Sequence, residues 1–356
     1  MAFVSPAVRC LLILAAWSGS LSRGYAESSA FPQHLSLIAG CRILNPGAKD
    51  LRVLPGERCL FRDNGDFISA GAKELRYITA GGEIKWVLTG VFHHQMSWSQ
   101  NRQEILVLAS EVVVWQDKDR RRFDKLLVVD LTGKVLKQLD FVTVLRQHKL
   151  KPLKFANTVE PQEGVPYEGT HLNSFYEIPA LPAHPERAAY WKAGNYVVNG
   201  LMHGYFVLDA KLEKVLWNDV SPTAQMHLVH DVQVLPSGRL IQFVNLRVTA
   251  TEDLRASAVE EIDLVTFRPV HVAGTEAGGI FYSRFGGGVQ NLDDDLLLFS
   301  TSFTGAYLYS RKAKALVWSS IFFHMRDSEA PIYIQRLGAQ DLREYFKNST
   351  PKPAPR

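Results

Sequence analysis

Apolar and polar positions in this chain repeat on two scales. On the short scale, runs of four to six apolar or alternating residues are broken by Gly, Pro, Asn and Asp, the pattern of β-strands joined by tight turns. Such runs include Phe67-Ile-Ser-Ala70, Leu75-Arg-Tyr-Ile-Thr79, Glu104-Ile-Leu-Val-Leu-Ala109, Asn195-Tyr-Val-Val-Asn199, Tyr205-Phe-Val-Leu-Asp209 and Leu296-Leu-Leu-Phe-Ser300. On the long scale, a short charged-aliphatic ending recurs. It reads Gly82-Glu-Ile-Lys-Trp86, Gly133-Lys-Val-Leu-Lys137, Glu213-Lys-Val-Leu-Trp217, Arg268-Pro-Val-His-Val272 and Lys314-Ala-Leu-Val-Trp318. The endings fall about 50 residues apart, with one interval stretched to about 80, and no helical pattern shows inside the repeat. This is the period of a propeller blade. The expectation is an all-β fold: a single β-propeller of six blades, each a four-stranded antiparallel sheet.

Five blades are visible directly, and the stretch from Phe31 to Leu60 is expected to complete a sixth with a C-terminal strand. Two stretches break the rhythm. Lys149 to Gly169, rich in Pro, Lys and Glu, reads as a long loop ahead of a blade, and Pro179 to Arg187 as an insertion within it. Trp86, Trp217 and Trp318 recur with the repeat and read as packing between blades.

The termini frame the domain. Arg9 followed by the apolar run Leu11 to Trp17, then Gly24-Tyr-Ala26, predicts a signal peptide over 1–26 and a mature chain beginning near Glu27. The propeller is expected over 27–345, with a frayed Pro-rich tail over 346–356. No stable membrane insertion is expected after signal removal, and the location read from this is periplasmic or secreted. Of 3 cysteines, Cys10 leaves with the signal. Cys41 and Cys59 then form an even pair in an oxidising compartment, read as a disulfide, with two buried thiols as the alternative.

Composition adds little beyond a globular class: 46% hydrophobic, 21% charged, net charge +4. The basic cluster Lys118, Arg120, Arg121 and Arg122 reads as a solvated hairpin tip, and nucleic-acid binding is not expected. The Asp293-Asp294-Asp295 run lacks the ligand spacing of a calcium loop and reads as a solvated turn.

Candidate chemistry lies in three signatures at equivalent points of three blades: Phe92-His93-His94-Gln-Met-Ser-Trp98, Gly169-Thr-His171-Leu-Asn173-Ser174, and His227-Leu-Val-His230-Asp231-Val-Gln-Val-Leu-Pro-Ser-Gly238. His94 and His230 each stand about seven residues before a turn, at the start of a strand. In a propeller that position opens onto the central channel. His227, three residues earlier, reads as structural.

On the His230–Asn245 run, the Thr170-His-Leu-Asn-Ser174 motif and the His93-His94 pair, the chain resembles the arylsulfotransferase family. That resemblance implies a periplasmic six-bladed propeller that moves sulfuryl groups from aryl sulfates to phenols without a nucleotide cofactor. It implies His230 as nucleophile, forming a sulfohistidine, with His94, His171 and Asn173 around the transferred group. The family's arginine is missing: its place holds Leu201-Met-His203, so His203, His93 and Arg247 become the substrate-binding candidates. Two other readings stay open. One is a catalytically silent propeller binding a ligand or partner through the same mouth. The other is a metal site on His94, His171, His203 and His230, although the residues are read as holding none.

Overall fold

The structure is a computed structural model and describes residues 36–39, 41–44, 50–71, 73–156, 167–201, 203–219, 229–249, 252–273, 283, 286–301, 305–321 and 334–337. The signal segment 1–26, its cleavage point and the tail 346–356 lie outside the described residues.

Short strands with buried apolar faces pair with their sequence neighbours into four-stranded antiparallel sheets, giving an all-β β-propeller. Five blades follow one another. The first runs Arg58–Phe61, Phe67–Gly71, Glu74–Ile78, Ile84–Thr89. The second is built on Val91–Trp98, Glu104–Val114, Arg120–Asp130 and Val135–Asp140. The third is Leu172–Glu177, Tyr196–Gly200, Gly204–Leu208, Val215–Asp219, and the fourth Val229–Val234, Arg239–Thr249, Glu252–Asp263, Pro269–Ala273. The fifth is Gly287–Asn291, Leu296–Thr301, Gly305–Ser310, Ala315–Ile321. A further four-stranded sheet, ordered Ile334–Leu337, Ser36–Ala39, Arg42–Leu44, Asp50–Val53, joins strands from the two ends of the described chain.

First strands of successive blades touch one another and form the inner ring. Burial follows from that placement. Val229–Val234 is nearly all buried and Tyr196–Gly200 wholly so, whereas the outer Ile84–Thr89 is mostly exposed. The cores lie between blades. Leu106, Leu108 and Phe123 of the second blade pack on Leu172, Phe175 and Phe206 of the third, and Val197 and Val207 of the third pack on Val232, Val244 and Ala258 of the fourth. Trp86 ties the first blade to the second by donating its indole N–H to the Leu131 carbonyl at 2.9 Å. Trp217 packs with Tyr190, Trp191 and Phe267 between the third and fourth blades. The Trp318 side chain lies outside the described residues. Cys41 and Cys59 are bonded, joining the terminal sheet to the first blade.

The second blade corrects several expectations. A helix, Phe141–Gln147, interrupts what was read as strand-only sequence; it buries Phe141, Val142, Val144 and Leu145, a helical spacing that two turns were too short to advertise. The stretch read as a long loop contributes Phe155–Ala156 and Tyr167–Glu168 to this sheet, the latter parallel to Arg120–Asp130. The basic cluster is a solvated tip only in part: Lys118 and Arg120 are exposed, as expected, but the other two are not. Arg121 is 3% exposed and Arg122 1%, because the hairpin strands run 11 residues each and the added strands cover their ends. Among the described residues no helix is long and apolar enough to cross a membrane.

Candidate active site

Three inner strands carry the same local device. Pairing registers slip between Phe92 and Met96, between Leu172 and Ser174, and between His230 and Gln233. Each slip interrupts the ladder and breaks the sheet's alternation, which re-aims the side chains at that point. In two of them a non-glycine residue adopts the left-handed region, His94 and Asp231, both at φ 53°. That conformation costs about 1 kcal/mol per residue, so surrounding contacts must impose it.

The slips bring the imidazoles together. The His94 ring centroid lies 4.5 Å from that of His171 and 6.4 Å from that of His230, with interplanar angles of 61° and 65°. His93 meets His94 edge-on at 4.8 Å. All four are at most 9% exposed.

The partners behind each ring decide which nitrogen faces the cluster. Asn245 donates its amide N–H groups to the carbonyls of Ser283 at 2.9 Å and Gly286 at 2.5 Å, so its Oδ1 must be the atom lying 2.5 Å from His230 Nδ1. An amide oxygen only accepts, so Nδ1 of His230 carries the hydrogen and Nε2 keeps the lone pair. His171 Nδ1 lies 2.5 Å from Glu168 Oε2, and the other carboxylate oxygen of Glu168 binds Arg122 Nη2. His93 Nε2 lies 2.8 Å from Asp124 Oδ1. His94 is left with a buried Nε2 that has no hydrogen-bond partner.

Burial shifts the titrations of this cluster. It lowers His230 to about 4, helped by the charge of His171 and opposed by the Asn245 hydrogen bond. It holds His94 well below the usual imidazole value, with His171, His93, His230 and Arg58 adding to the effect. Burial works against ionising Asp124, but His93, Arg122 and the Leu172 amide outweigh it and hold that carboxyl at about 2. Asp231 is raised to about 6 by burial, against hydrogen bonds from Tyr176, the Val289 amide and Gln233. For His94 and His230 the unfolded chain binds protons more tightly than the folded one. Their contribution to stability is therefore complete above about pH 6.5 and is lost as pH falls toward 4. Asp231, raised on folding, acts in the opposite sense below about pH 6 and offsets part of this loss. Thermal melts are therefore expected to show Tm falling across that window in the wild type and falling more steeply in Asp231→Asn; a Tm flat from pH 7 to 4.5 in that variant would contradict the buried neutral rings.

The other sequence candidates are placed differently. Asn173 donates to the Val229 carbonyl at 2.8 Å, beside His230, and its buried Oδ1 has no partner. It braces the strand that carries His230. His203, lowered by burial, turns to the Lys151 carbonyl at 3.3 Å. Arg247 pairs its backbone with Ala256, and its side chain lies outside the described residues, as does His227. Among the described residues no group of three or more His, Cys, Asp or Glu side chains is arranged to hold a metal ion.

Sequence reasoning missed Glu168, Arg122, Asp124, Asn245 and Arg58. Arg58 begins the first strand of the first blade, is 8% exposed, and its charge reaches His94. It supplies a permanent cation on the inner ring, where none was seen at 201–203.

No protein-family model matches the chain, and no curated protein matches it. Among solved structures, a protein of unknown function from Bacteroides caccae matches with a TM-score of 0.54 and 11% identity, over 85% of this chain and 98% of its own. A chain of the Mitotic Checkpoint Complex, 8% identical over 83% of this chain and 73% of its own, gives a TM-score of 0.41. The Cps50 (Swd1) β-propeller domain of Myceliophteria thermophila, 11% identical over 88% and 77%, also gives 0.41. The first of these shows a shared propeller fold. The class defined here is a β-propeller with a buried histidine cluster at the inner ends of its blades.

Proposed function

We propose that the protein is a nucleotide-independent aryl-sulfate sulfotransferase working through a sulfohistidine at His230. One observation carries the reading: Asn245 holds Nδ1 of His230 and leaves the lone pair on Nε2, in a ring 6.4 Å from His94, which itself lies 4.5 Å from His171. Nε2 attacks sulfur and the S–O bond to the aryl group breaks, the departing phenolate oxygen taking a proton from a neighbouring imidazole. In the second half, a phenol acceptor returns that proton, its oxygen attacks sulfur, and the N–S bond breaks. Each half conserves charge and atoms, and needs no cofactor. Arg58 and imidazole N–H groups stabilise charge spread over the three sulfuryl oxygens. Donors and acceptors are small aryl sulfates and phenols, and the Cys41–Cys59 bond fits a periplasmic or secreted setting.

The test is turnover of 4-nitrophenyl sulfate with a phenol acceptor, together with retention of radiolabelled sulfur on the protein. A neutral His230 sets the pH dependence: kcat/KM is expected to rise through an acid limb near pH 4, well below the ordinary imidazole range. An acid limb at 6.5 would sink that assignment. The second reading, a propeller that binds aryl sulfates without turnover, is favoured by the family arginine's absence at 201–203 and predicts binding with no label retained.

We also infer that the ring closes at six blades. The sheet formed by Ile334–Leu337 with Ser36–Ala39 supports this, because pairing the two chain ends removes exposed sheet edges.

A further inference from the structure

We infer that Glu168, gripped by Arg122, is the positioning residue that makes His171 the proton-transfer imidazole of this site; the inference rests on the sulfuryl-transfer reading. Neither Glu168 nor Arg122 was expected near the channel, and both are now essentially inaccessible, at 0% and 1% exposure.

The chain places them deliberately. Tyr167–Glu168 runs parallel to Arg120–Asp130, with Glu168 opposite Arg122. Gly169 then donates its amide to the Arg122 carbonyl at 2.7 Å, and a Cβ at Gly169 would lie 2.4 Å from the Phe123 ring. Only glycine lets the backbone pass so close. Three residues after Glu168, His171 opens the third blade. The carboxylate thus spans a blade boundary, with Arg122 on one oxygen and His171 on the other.

A carboxylate so held only accepts, which fixes the His171 hydrogen on Nδ1 and leaves Nε2 as the edge that exchanges a proton. The backing differs among the rings. His230 rests on a neutral amide, His94 has no partner at Nε2, and His93, although its Nε2 lies 2.8 Å from Asp124 Oδ1, is not aligned to hydrogen-bond that oxygen as His171 is to Glu168. An amide orients an imidazole, whereas a carboxylate also stabilises the imidazolium that forms when it takes a proton. His171 is therefore the ring built to cycle between neutral and cationic forms. Buried ion pairs bring little net stability over an apolar replacement, so the Arg122–Glu168 pair needs a role beyond folding. In the first half-reaction His171 Nε2–H passes its proton to the leaving phenolate oxygen; in the second it takes the proton of the acceptor phenol.

The test compares two donors in Glu168→Gln. Phenyl sulfate, whose leaving group needs a proton, is expected to lose roughly a hundredfold or more in kcat/KM, while 4-nitrophenyl sulfate loses less than about tenfold. Equal losses on both donors would overturn the proposal. Nitrogen-15 histidine NMR on the wild-type protein gives a readout independent of activity. A strongly downfield Nδ1–H proton, assigned by its loss in His171→Gln, is expected; a His171 that carries its proton on Nε2 alone overturns the proposal even if Glu168→Gln does not fold. A wild type that shows the Nδ1–H signal but turns over no aryl sulfate sinks the transfer reading and upholds the Glu168–His171 pairing.

Discussion

Replacing His230 with alanine is expected to abolish sulfuryl transfer and label retention together. Removing a nucleophile leaves only binding and charge stabilisation, so kcat should fall by about 10⁴-fold or more. Folding should survive. His230 is buried at the mouth of a strand whose neighbours Val229 and Val232 carry the apolar packing, and removing a desolvated imidazole leaves only Asn245 Oδ1 without its donor. That orphaned acceptor costs about 1–3 kcal/mol. A circular dichroism spectrum and Tm near wild type, alongside lost turnover, separate chemistry from collapse. If His230→Ala turns over aryl sulfate while His171→Ala does not, the nucleophile has been misassigned. If neither variant changes the rate, the cluster is not the reacting centre.

The inner-strand histidines were legible because they sit at a fixed offset from turn residues, and a repeat converts offset into position around an axis. His94 and His230 could be paired for that reason, and His171 joined them through its Thr-His-Leu-Asn-Ser motif at an equivalent place in its blade. What holds them was not legible. Asn245 lies within the quoted motif, yet nothing in the run Val244-Asn245-Leu246 says that its amide is turned by two carbonyls across the blade gap. Glu168 sits in a polar stretch that reads as loop, and its one signal was a Glu-x-x-His spacing. Arg122 belonged to a basic run, and basic runs are ordinarily solvated. Only pairing of residues 46 apart buries it. The helix at Phe141–Gln147 was missed because Phe-Val-Thr-Val reads equally well as a strand, and tertiary packing on Phe206 settled the choice. Long-range pairing, invisible to local pattern, decided each of these.

Converting both Cys41 and Cys59 to alanine is expected to destabilise the fold by about 3 kcal/mol in the chain-entropy view of a short loop, lowering Tm by roughly 6 °C. Alanine is the cleaner replacement. Both positions are buried, at 3% and 6% exposure, so serine would add a hydroxyl to an apolar cluster with Leu54, Phe61 and Phe67. The effect should be local before it is global. The bond joins the Cys41 turn to Arg58–Phe61, linking the sheet that pairs Ser36–Ala39 with Ile334–Leu337 to the first blade. That sheet has strands of only three or four residues, so it holds little ladder energy of its own. Without the bond, hydrogen exchange should quicken first at residues 36–53, while amides of Val229–Val234 keep their protection until global unfolding. Reductant should reproduce the shift in the wild type and leave the double variant unchanged. Free thiols titrating in the native, unreduced protein, or a Tm indifferent to reductant, would show that the seam is held by packing alone. The histidine cluster would then owe nothing to the bridge, since Arg58, next to Cys59, would keep its charge acting on His94 without it.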